Sequence, residues 1–192
     1  MAYNVKDVFY LSTEATITAA TANAGSAQLD LSAYIDPIAR GRSKGTGLAV
    51  YKVDWVLQDN VDSDIMKVNE VGAFSYGLLA GVGFGDNATG ALNATEATFS
   101  ATNALCIESG AYYGMASTTA TLASTPGPTD LSTKWMSTST EVPYIIVRDN
   151  VCLVYNVATN MTNDCILGCR LSVAQISLDQ STLNQLLRTQ TV

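Results

Sequence analysis

The chain has 192 residues, which suits one domain, and 47% of them are hydrophobic, which excludes a disordered composition. Only 14% are charged, against about 25% in ordinary soluble domains. The net charge is −7, and neither end of the sequence carries the basic tail that a sequence-independent nucleic-acid binder uses to displace counterions from phosphate. We therefore expect one domain, residues 1–192, whose weakly charged surface favours contact with neighbouring molecules.

The first half of the chain predicts antiparallel strands. The segment "DVFYLSTEATITAA" is rich in strand formers and ends at the turn-like "TANAG". Two later segments, "SAQLDLSAYI" and "LAVYKVDWVL", alternate apolar and polar residues with period 2, as half-buried strands do. In the first of these the apolar face holds Ala27, Leu29, Leu31, Ala33 and Ile35. In the second it holds Ala49, Tyr51, Val53, Trp55 and Leu57.

A basic, glycine-rich stretch, "DPIARGRSKGTG", precedes the third predicted strand. It differs from a phosphate-binding P-loop, because Lys44 comes before the second glycine and because a strand, not a helix, follows. We interpret it as a surface turn whose glycines permit positive φ. The chain has only ten cations, so we expect Arg40, Arg42 and Lys44 to mark a contact with another subunit or with an anionic inner layer.

Acidic residues cluster after the same strand, in "QDNVDSDIMKVNE". The carboxylates of Asp59, Asp62 and Asp64 are calcium-type ligands, but the segment lacks the spacing and the glycine of an EF-hand loop. We interpret it as a solvated acidic loop and leave calcium binding open. A pair of carboxylates, such as Asp62 and Asp64, is also what a glycosidase would need.

The next strand signal, "AFSYGLLAGVGFG", is apolar and glycine-rich, which indicates a strand that bends or bulges. Its glycines do not match the dinucleotide-binding spacing. From about residue 86 to 141 the alternation fades into Ala, Thr and Ser, which predicts a loop-rich insertion with edge strands or a short helix. Trp135 lies in this insertion and is a candidate contact residue.

Two β-rich runs, 142–157 and 164–178, flank the turn-like "ATNMTN" and suggest an antiparallel hairpin. Matching their apolar faces places Leu153 opposite Cys169 and Val157 opposite Cys165. Cys152 then falls on the other face, so it is not expected to form a disulfide with Cys165 or Cys169. We interpret the cysteines as buried thiols.

The C-terminus, residues 179–192, predicts a short amphipathic helix or arm. Asp179 or Ser181 is the candidate cap. Leu183, Leu186 and Leu187 form an apolar stripe at helical spacing and are further candidates for a subunit contact.

The chain contains no histidine, so neither a Ser-His-Asp triad nor a Cys-His pair can form. The cysteine spacing is also not that of a zinc site. We predict no catalytic residues, no cofactor and no metal. The first residues lack the pattern of a secretory signal peptide, which leads us to expect a protein made in the cytoplasm.

About eight strands with little helix and no βαβ pattern predict an all-β antiparallel sandwich, with a jelly roll as the best single architecture. In "LDLSAYIDPIARGRSKGTGLAVYKVDWVLQDN" and "VPYIIVRDNVCLVYNV" the chain resembles the small single jelly-roll major capsid proteins of icosahedral archaeal and bacterial viruses. The likeness covers most of the chain in pattern and includes no diagnostic motif. It implies a self-assembling virion protein whose partners are its own copies, other capsid proteins and, in some such viruses, an internal membrane.

The missing basic arm departs from capsid proteins that package RNA directly, so we expect no strong nucleic-acid binding. The alternative function is a β-sandwich binding module, such as a carbohydrate-binding, phage fibre or spike domain. That alternative requires exposed aromatic residues on a concave face, for which Tyr112, Tyr113 and Trp135 are the candidates. A jelly-roll lyase or glycosidase that uses Asp62 and Asp64 ranks last.

Overall fold

The structure is a computed structural model, and it contains eleven β-strands and one α-helix within the residues that it describes. Those residues are 8–21, 24–36, 44–60, 72–81, 85–86, 91–92, 103–114, 133–136, 138–139 and 141–190. The first six strands are β1 (Val8–Ile17), β2 (Ala24–Asp30), β3 (Lys44–Asp59), β4 (Gly72–Ala80), β5 (Gly85–Asp86) and β6 (Ala91–Leu92). The remaining elements are β7 (Cys106–Gly114), β8 (Thr133–Met136), β9 (Tyr144–Ile146), β10 (Asn150–Thr159), β11 (Cys165–Asp179) and α1 (Gln180–Thr189).

The strands pair into two antiparallel sheets whose connectivity is that of a jelly roll. One sheet has the order β1-β11-β3-β9 and the other β2-β10-β4-β7-β8, while β5 and β6 pair separately. The eight main strands are those that remain when β5, β6 and the four-residue edge strand β8 are set aside. If these eight are lettered B to I along the chain, the two sheets read B-I-D-G and C-H-E-F. Successive strands therefore change sheet at every connection except the one from β4 to β7, as in two interlocked Greek keys. The predicted all-β antiparallel sandwich is confirmed.

Apolar side chains from both sheets meet between them and form the core. Across this core the ring of Trp55 on β3 lies 4.6 Å from that of Tyr76 on β4. Phe74 and Tyr112, on adjacent strands, stack with their centroids 5.2 Å apart. Fully buried residues from the other strands fill the remaining space; they include Ile17, Leu48, Leu78, Ile146, Leu153 and Leu167.

A β-bulge corrects the predicted faces of β3. Ser172 pairs with Lys52, but the next residue, Val173, pairs with Val50, so Tyr51 is an extra residue in β3. The core side therefore changes parity at Tyr51. Leu48 and Val50 face the core before the bulge, whereas Val53, Trp55 and Leu57 face it afterwards. The prediction that Ala49 and Tyr51 lie on the same face of β3 as Val53 is wrong.

The second predicted strand ends earlier than its alternation suggests. β2 stops at Asp30, whose side chain accepts a hydrogen bond from the Ser32 amide at 2.8 Å. The amides of Tyr34 and Ile35 then donate to the carbonyl of Leu31, which closes a turn. Leu31 and Ile35 are still buried, but Ala33 is exposed, so its predicted place on the apolar face is wrong.

The predicted hairpin between the last two β-rich runs does not form. β10 pairs with β2 and β4, whereas β11 pairs with β1 and β3 in the opposite sheet. The predicted apolar faces are correct, but they face each other across the sandwich instead of lying side by side. Alternation cannot separate these two arrangements, because strands in either one direct their apolar residues to the same core. Met161, in the connection between the two strands, is buried.

The region from 86 to 141 contains β7, a regular strand inside the five-stranded sheet. From Cys106 to Tyr112 every residue of β7 is buried, so both faces of the strand are covered. A strand covered on both faces carries no polar-apolar alternation, which explains why its sequence gives no clear signal.

Helix α1 follows β11 directly and packs against the end of the four-stranded sheet. Its cap is Asp179, whose carboxylate accepts from the Thr182 amide at 2.7 Å. Leu183 is fully buried, and its side chain occupies the space above Gly45 on β3. At the other end of α1, the buried Gln190 amide donates to the Ile145 carbonyl at 2.6 Å and accepts from the Val147 amide at 3.4 Å. These are bonds that another strand would make with the free edge of β9.

Two glycines of the same sheet give a matched test of this packing. A Cβ at Gly47 would lie 2.9 Å from the Ile146 carbonyl oxygen and 3.0 Å from a Leu178 methyl group, whereas at Gly168 the nearest atom is 3.9 Å away. We expect Gly47→Ala to lower the free energy of unfolding by about 1–3 kcal/mol through overpacking. Gly168→Ala should leave it unchanged or slightly raised. Urea denaturation of both variants measures the difference, and equal effects would contradict the packing at β9.

The Gln190 contact predicts a local effect at the β9 edge. Gln190→Ala leaves the Ile145 carbonyl and the Val147 amide without these partners, at a cost of about 1–3 kcal/mol of unfolding free energy. Gln190→Glu is the sharper variant, because its carboxylate can accept from Val147 but cannot donate to Ile145. Hydrogen exchange at the Val147 amide should accelerate strongly in Gln190→Ala and less in Gln190→Glu. Unchanged exchange in both variants would show that the edge is protected by something else.

Candidate functional site

The two outer faces of the sandwich differ in character. On the five-stranded sheet, Leu79, Cys106, Cys152 and Val154 share the outward side and form a second buried cluster. On the four-stranded sheet, the outward side of β1, β11 and β3 is polar and largely exposed. We name this surface the charged face. It consists of Tyr10, Ser12, Glu14, Lys52, Asp54, Val56, Gly168 and Arg170.

Asp54 is the centre of the ionic contacts on the charged face. Its carboxylate lies 2.6 Å from the Lys52 ammonium and 3.8 Å from the Arg170 guanidinium. The guanidinium of Arg170 also lies over the ring of Tyr10, 5.1 Å from its centroid. The side chains of both cations remain about 60% exposed. Exposed pairs of this kind contribute little to folding, so these charges are available for other contacts.

A depression of about 580 Å³ lies beside these charges. Gly168 is paired with Glu14 on one side and Val56 on the other, and a Cβ added to Gly168 would meet only backbone oxygens near 4 Å. The missing side chain therefore leaves a notch in the middle of the central strand. It is lined by Ser12, Thr13, Glu14, Val56, Gln58, Gly168, Cys169 and Arg170.

The base of the predicted basic loop is well defined. The Thr46 amide donates to the Asp36 carbonyl at 3.1 Å, and the Asp36 amide donates to the Thr46 hydroxyl at 2.8 Å. Lys44 is exposed and begins β3, so a strand follows the basic stretch as predicted. It lines a cavity of about 220 Å³ between this base and Tyr34. Arg40 and Arg42 lie outside the described residues.

The remaining candidate contact residues lie in different places. Leu183 packs inside its own chain, as described above, while Leu186 and Leu187 are half-buried on α1. The α1 anchor and the base of the basic loop share Gly45, so both belong to the same end of the sandwich. Trp135 belongs to β8, which pairs with β7 at an edge of the five-stranded sheet.

The aromatic residues named for a binding face do not form one surface. Tyr112 is fully buried and stacks on Phe74, whereas its neighbour Tyr113 is 54% exposed. Consecutive strand residues point to opposite faces, so these two tyrosines cannot form one platform. The proposed exposure of Tyr112 is wrong.

The described acidic and sulfur groups do not assemble a metal site. Asp59 is buried at the end of β3, and Asp62 and Asp64 lie outside the described residues. Among the residues that are described, no group of three or more His, Cys, Asp or Glu side chains is arranged to hold a metal ion. All four cysteines are free and buried.

A buried carboxylate that the sequence did not single out joins the two sheets. Glu108 on β7 accepts a hydrogen bond from the Trp55 indole at 2.8 Å and bonds from the Thr138 amide at 3.2 Å and hydroxyl at 3.3 Å. These contacts link β3, β7 and the segment before β9. We assign Glu108 a structural role, because its donors are protein groups inside the sandwich. Residue type alone gave no signal, since Glu108 and its two partner residues, Trp55 and Thr138, are far apart in the sequence.

Burial makes the thiols unreactive. It raises the pKa of Cys106 from 9.0 to about 11 and that of Cys169 to about 12, and the nearby charge of Glu108 adds to both effects. Their neutral forms are therefore favoured in the folded state. The resulting stabilisation is fully present below pH 9 and is lost as the pH rises towards 11 and 12.

We expect a slow reaction of the native thiols with an aromatic disulfide reagent. At pH 8 a thiol of pKa about 11 holds roughly a hundredfold less thiolate than one of pKa 9. All four cysteines should react at once in denaturant, and the free energy of unfolding should fall between pH 9 and 11. Rapid native labelling of Cys106 or Cys169, located by mass spectrometry, would contradict this burial.

Comparison with known proteins does not assign this chain to a family. No protein-family profile matches it, and no curated protein matches it with significant similarity. Among the described residues, no helix has the length and apolar character needed to cross a membrane.

Proposed function

We propose that this chain is a virion structural protein whose copies self-assemble, together with other capsid proteins, into a shell. The main support is the connectivity of the sandwich. Its eight main strands follow the B-I-D-G and C-H-E-F orders of a jelly roll, an architecture that recurs in viral capsid proteins. Lectins and cupins share this architecture, so the surfaces must supply the rest of the argument.

Two features of the chain suit a shell. Charged residues make up only 14% of it, which favours surfaces covered by neighbouring molecules. The free edge of β9 is closed by Gln190, so strand addition is blocked there. At that edge copies would therefore associate through side chains and not by strand addition.

The end of the sandwich that carries Lys44 and α1 is our proposed position for a contact with another subunit or with an inner layer. Lys44 is exposed there, at the base of the segment that contains Arg40 and Arg42. Three cations in an acidic chain fit an acidic neighbouring subunit or an anionic inner layer such as lipid headgroups. On this proposal the protein is made in the host cytoplasm and ends in the virion, where lipid or another layer separates it from the genome.

The proposal predicts assembly of the purified protein. At neutral pH and increasing concentration, light scattering coupled to size exclusion should detect species larger than the monomer, and negative-stain electron microscopy should show capsomers or shells. The triple substitution of Arg40, Arg42 and Lys44 by Ala should reduce large assemblies while leaving the fold intact by circular dichroism. The control is Arg188→Ala, which removes an exposed cation from the last turn of α1.

A strictly monomeric protein at every concentration that is also absent from particles of its source would oppose the proposed shell. A shell in which the three cations all point into bulk solvent would support assembly but oppose the proposed contact of Arg40, Arg42 and Lys44.

A further inference from the structure

The charged face carries one surplus charge of each sign. Asp54 is shared by Lys52 and Arg170, so two cations face one carboxylate. Glu14 lies on β1, on the other side of β11 from Asp54, and is diagonal to Arg170 in the sheet. No side-chain hydrogen bond or ion pair joins Glu14 to another described residue. Arg170 is turned away from Glu14, towards Tyr10 and Asp54. The face is therefore neutral as a whole but unbalanced locally.

The charged face also exposes large apolar side chains. Tyr10 is 63% exposed and Val56 is 46% exposed, and both are large side chains on the charged face. The notch at Gly168 lies next to Val56, and glycine within a strand often marks a place where another backbone or ligand approaches closely. An approaching surface that carries projecting side chains would fill this notch.

We propose that the charged face is a homotypic interface, on which a second copy of this chain packs face to face about a two-fold axis. Such an axis makes each contact occur twice, so Glu14 of one copy can meet Arg170 of the other, and the reverse. Both surplus charges are then neutralised. This inference rests on the proposed function, because it assigns one of the contacts through which copies assemble.

Charge favours a second copy over other occupants. Two chains that each carry −7 repel each other over most of their surfaces, so their contact is best placed where the local net charge is zero. Glu14, Asp54, Lys52 and Arg170 sum to zero. A nucleic acid or a strongly charged lipid surface would be attracted by a patch of one sign, whereas a patch of balanced signs is complementary to itself.

The notch provides the first test. Gly168→Tyr places a large side chain in the notch, and the open space above Gly168 together with the strand preference of tyrosine should preserve the fold. Gly168→Ala is the matched control, because it adds a methyl group that reaches only ordinary contact distance. Sedimentation velocity on the purified proteins should show self-association at least about tenfold weaker in Gly168→Tyr and nearly unchanged in Gly168→Ala.

A charge exchange provides the second test. Glu14→Arg alone should weaken self-association, since it places like charges opposite each other across the two-fold axis. The double variant Glu14→Arg/Arg170→Glu reverses both charges and should recover most of the lost affinity. The control is Glu141→Arg, a charge reversal at another exposed glutamate. Adding Arg170→Glu to this variant should not increase its self-association.

The outcomes separate this inference from the shell proposal. Association that survives Gly168→Tyr and Glu14→Arg overturns the homotypic face and leaves the shell intact. A dimer that depends on the charged face, without capsomers or shells in the microscope, supports the face and opposes the shell. A wild-type protein that stays monomeric overturns both.

Discussion

The long ladder between β3 and β11 is the interaction on which the rest of the structure depends. It runs from the pair Asp59 and Cys165 to the pair Lys44 and Asp179. Its inner side supplies central core residues, and its outer side forms most of the charged face. Its far end carries α1 and the base of the basic loop. The bulge at Tyr51 shifts the alternation of β3 by one residue, so that the core-facing residues are even-numbered before it and odd-numbered after it. The strand can therefore supply core residues along its whole length.

The two sheets are held in register by polar contacts as well as by packing. Glu108 and Trp55 join them at one position, and the Tyr155 hydroxyl joins them at another, where it donates to the Thr16 carbonyl at 2.9 Å. The ring of Tyr155 lies over Gly25, where a Cβ would clash with the hydroxyl. Apolar burial is non-directional, so it tolerates sliding of one sheet over the other. These hydrogen bonds favour one relative position, because sliding would leave buried groups without partners.

Sequence patterns predicted which segments form strands better than they predicted which strands pair. Period-2 alternation and strand-forming residues predicted the fold class and the strand nature of β1, β3, β10 and β11. The leucine stripe at helical spacing predicted the helix, and Asp179, one of the two candidate caps, is the cap. Alternation failed where a local or long-range effect intervened. A bulge inverted half of β3, an aspartate-linked turn ended β2 early, and burial on both faces hid β7. The hairpin error had another cause, since alternation reports which side of a strand is buried but not which strand covers it. The charged face was missed for the same reason, because its members come together only through strand pairing.

The distribution of cations relates the fold to the proposed function. Lys44 lies at one end of the β3–β11 ladder, and Lys52 and Arg170 lie on its outer side. Arg40 and Arg42 precede Lys44 by a few residues in the sequence, so five of the ten cations belong to these parts of the chain. A chain of net charge −7 does not need cations there to fold, since exposed pairs contribute little to stability. Cations do lower the repulsion between acidic copies, and they do so most strongly close to the contact, because salt screens more distant charges. Their concentration along one ladder therefore favours contacts at its outer face and at its end, the two places where our proposals locate them.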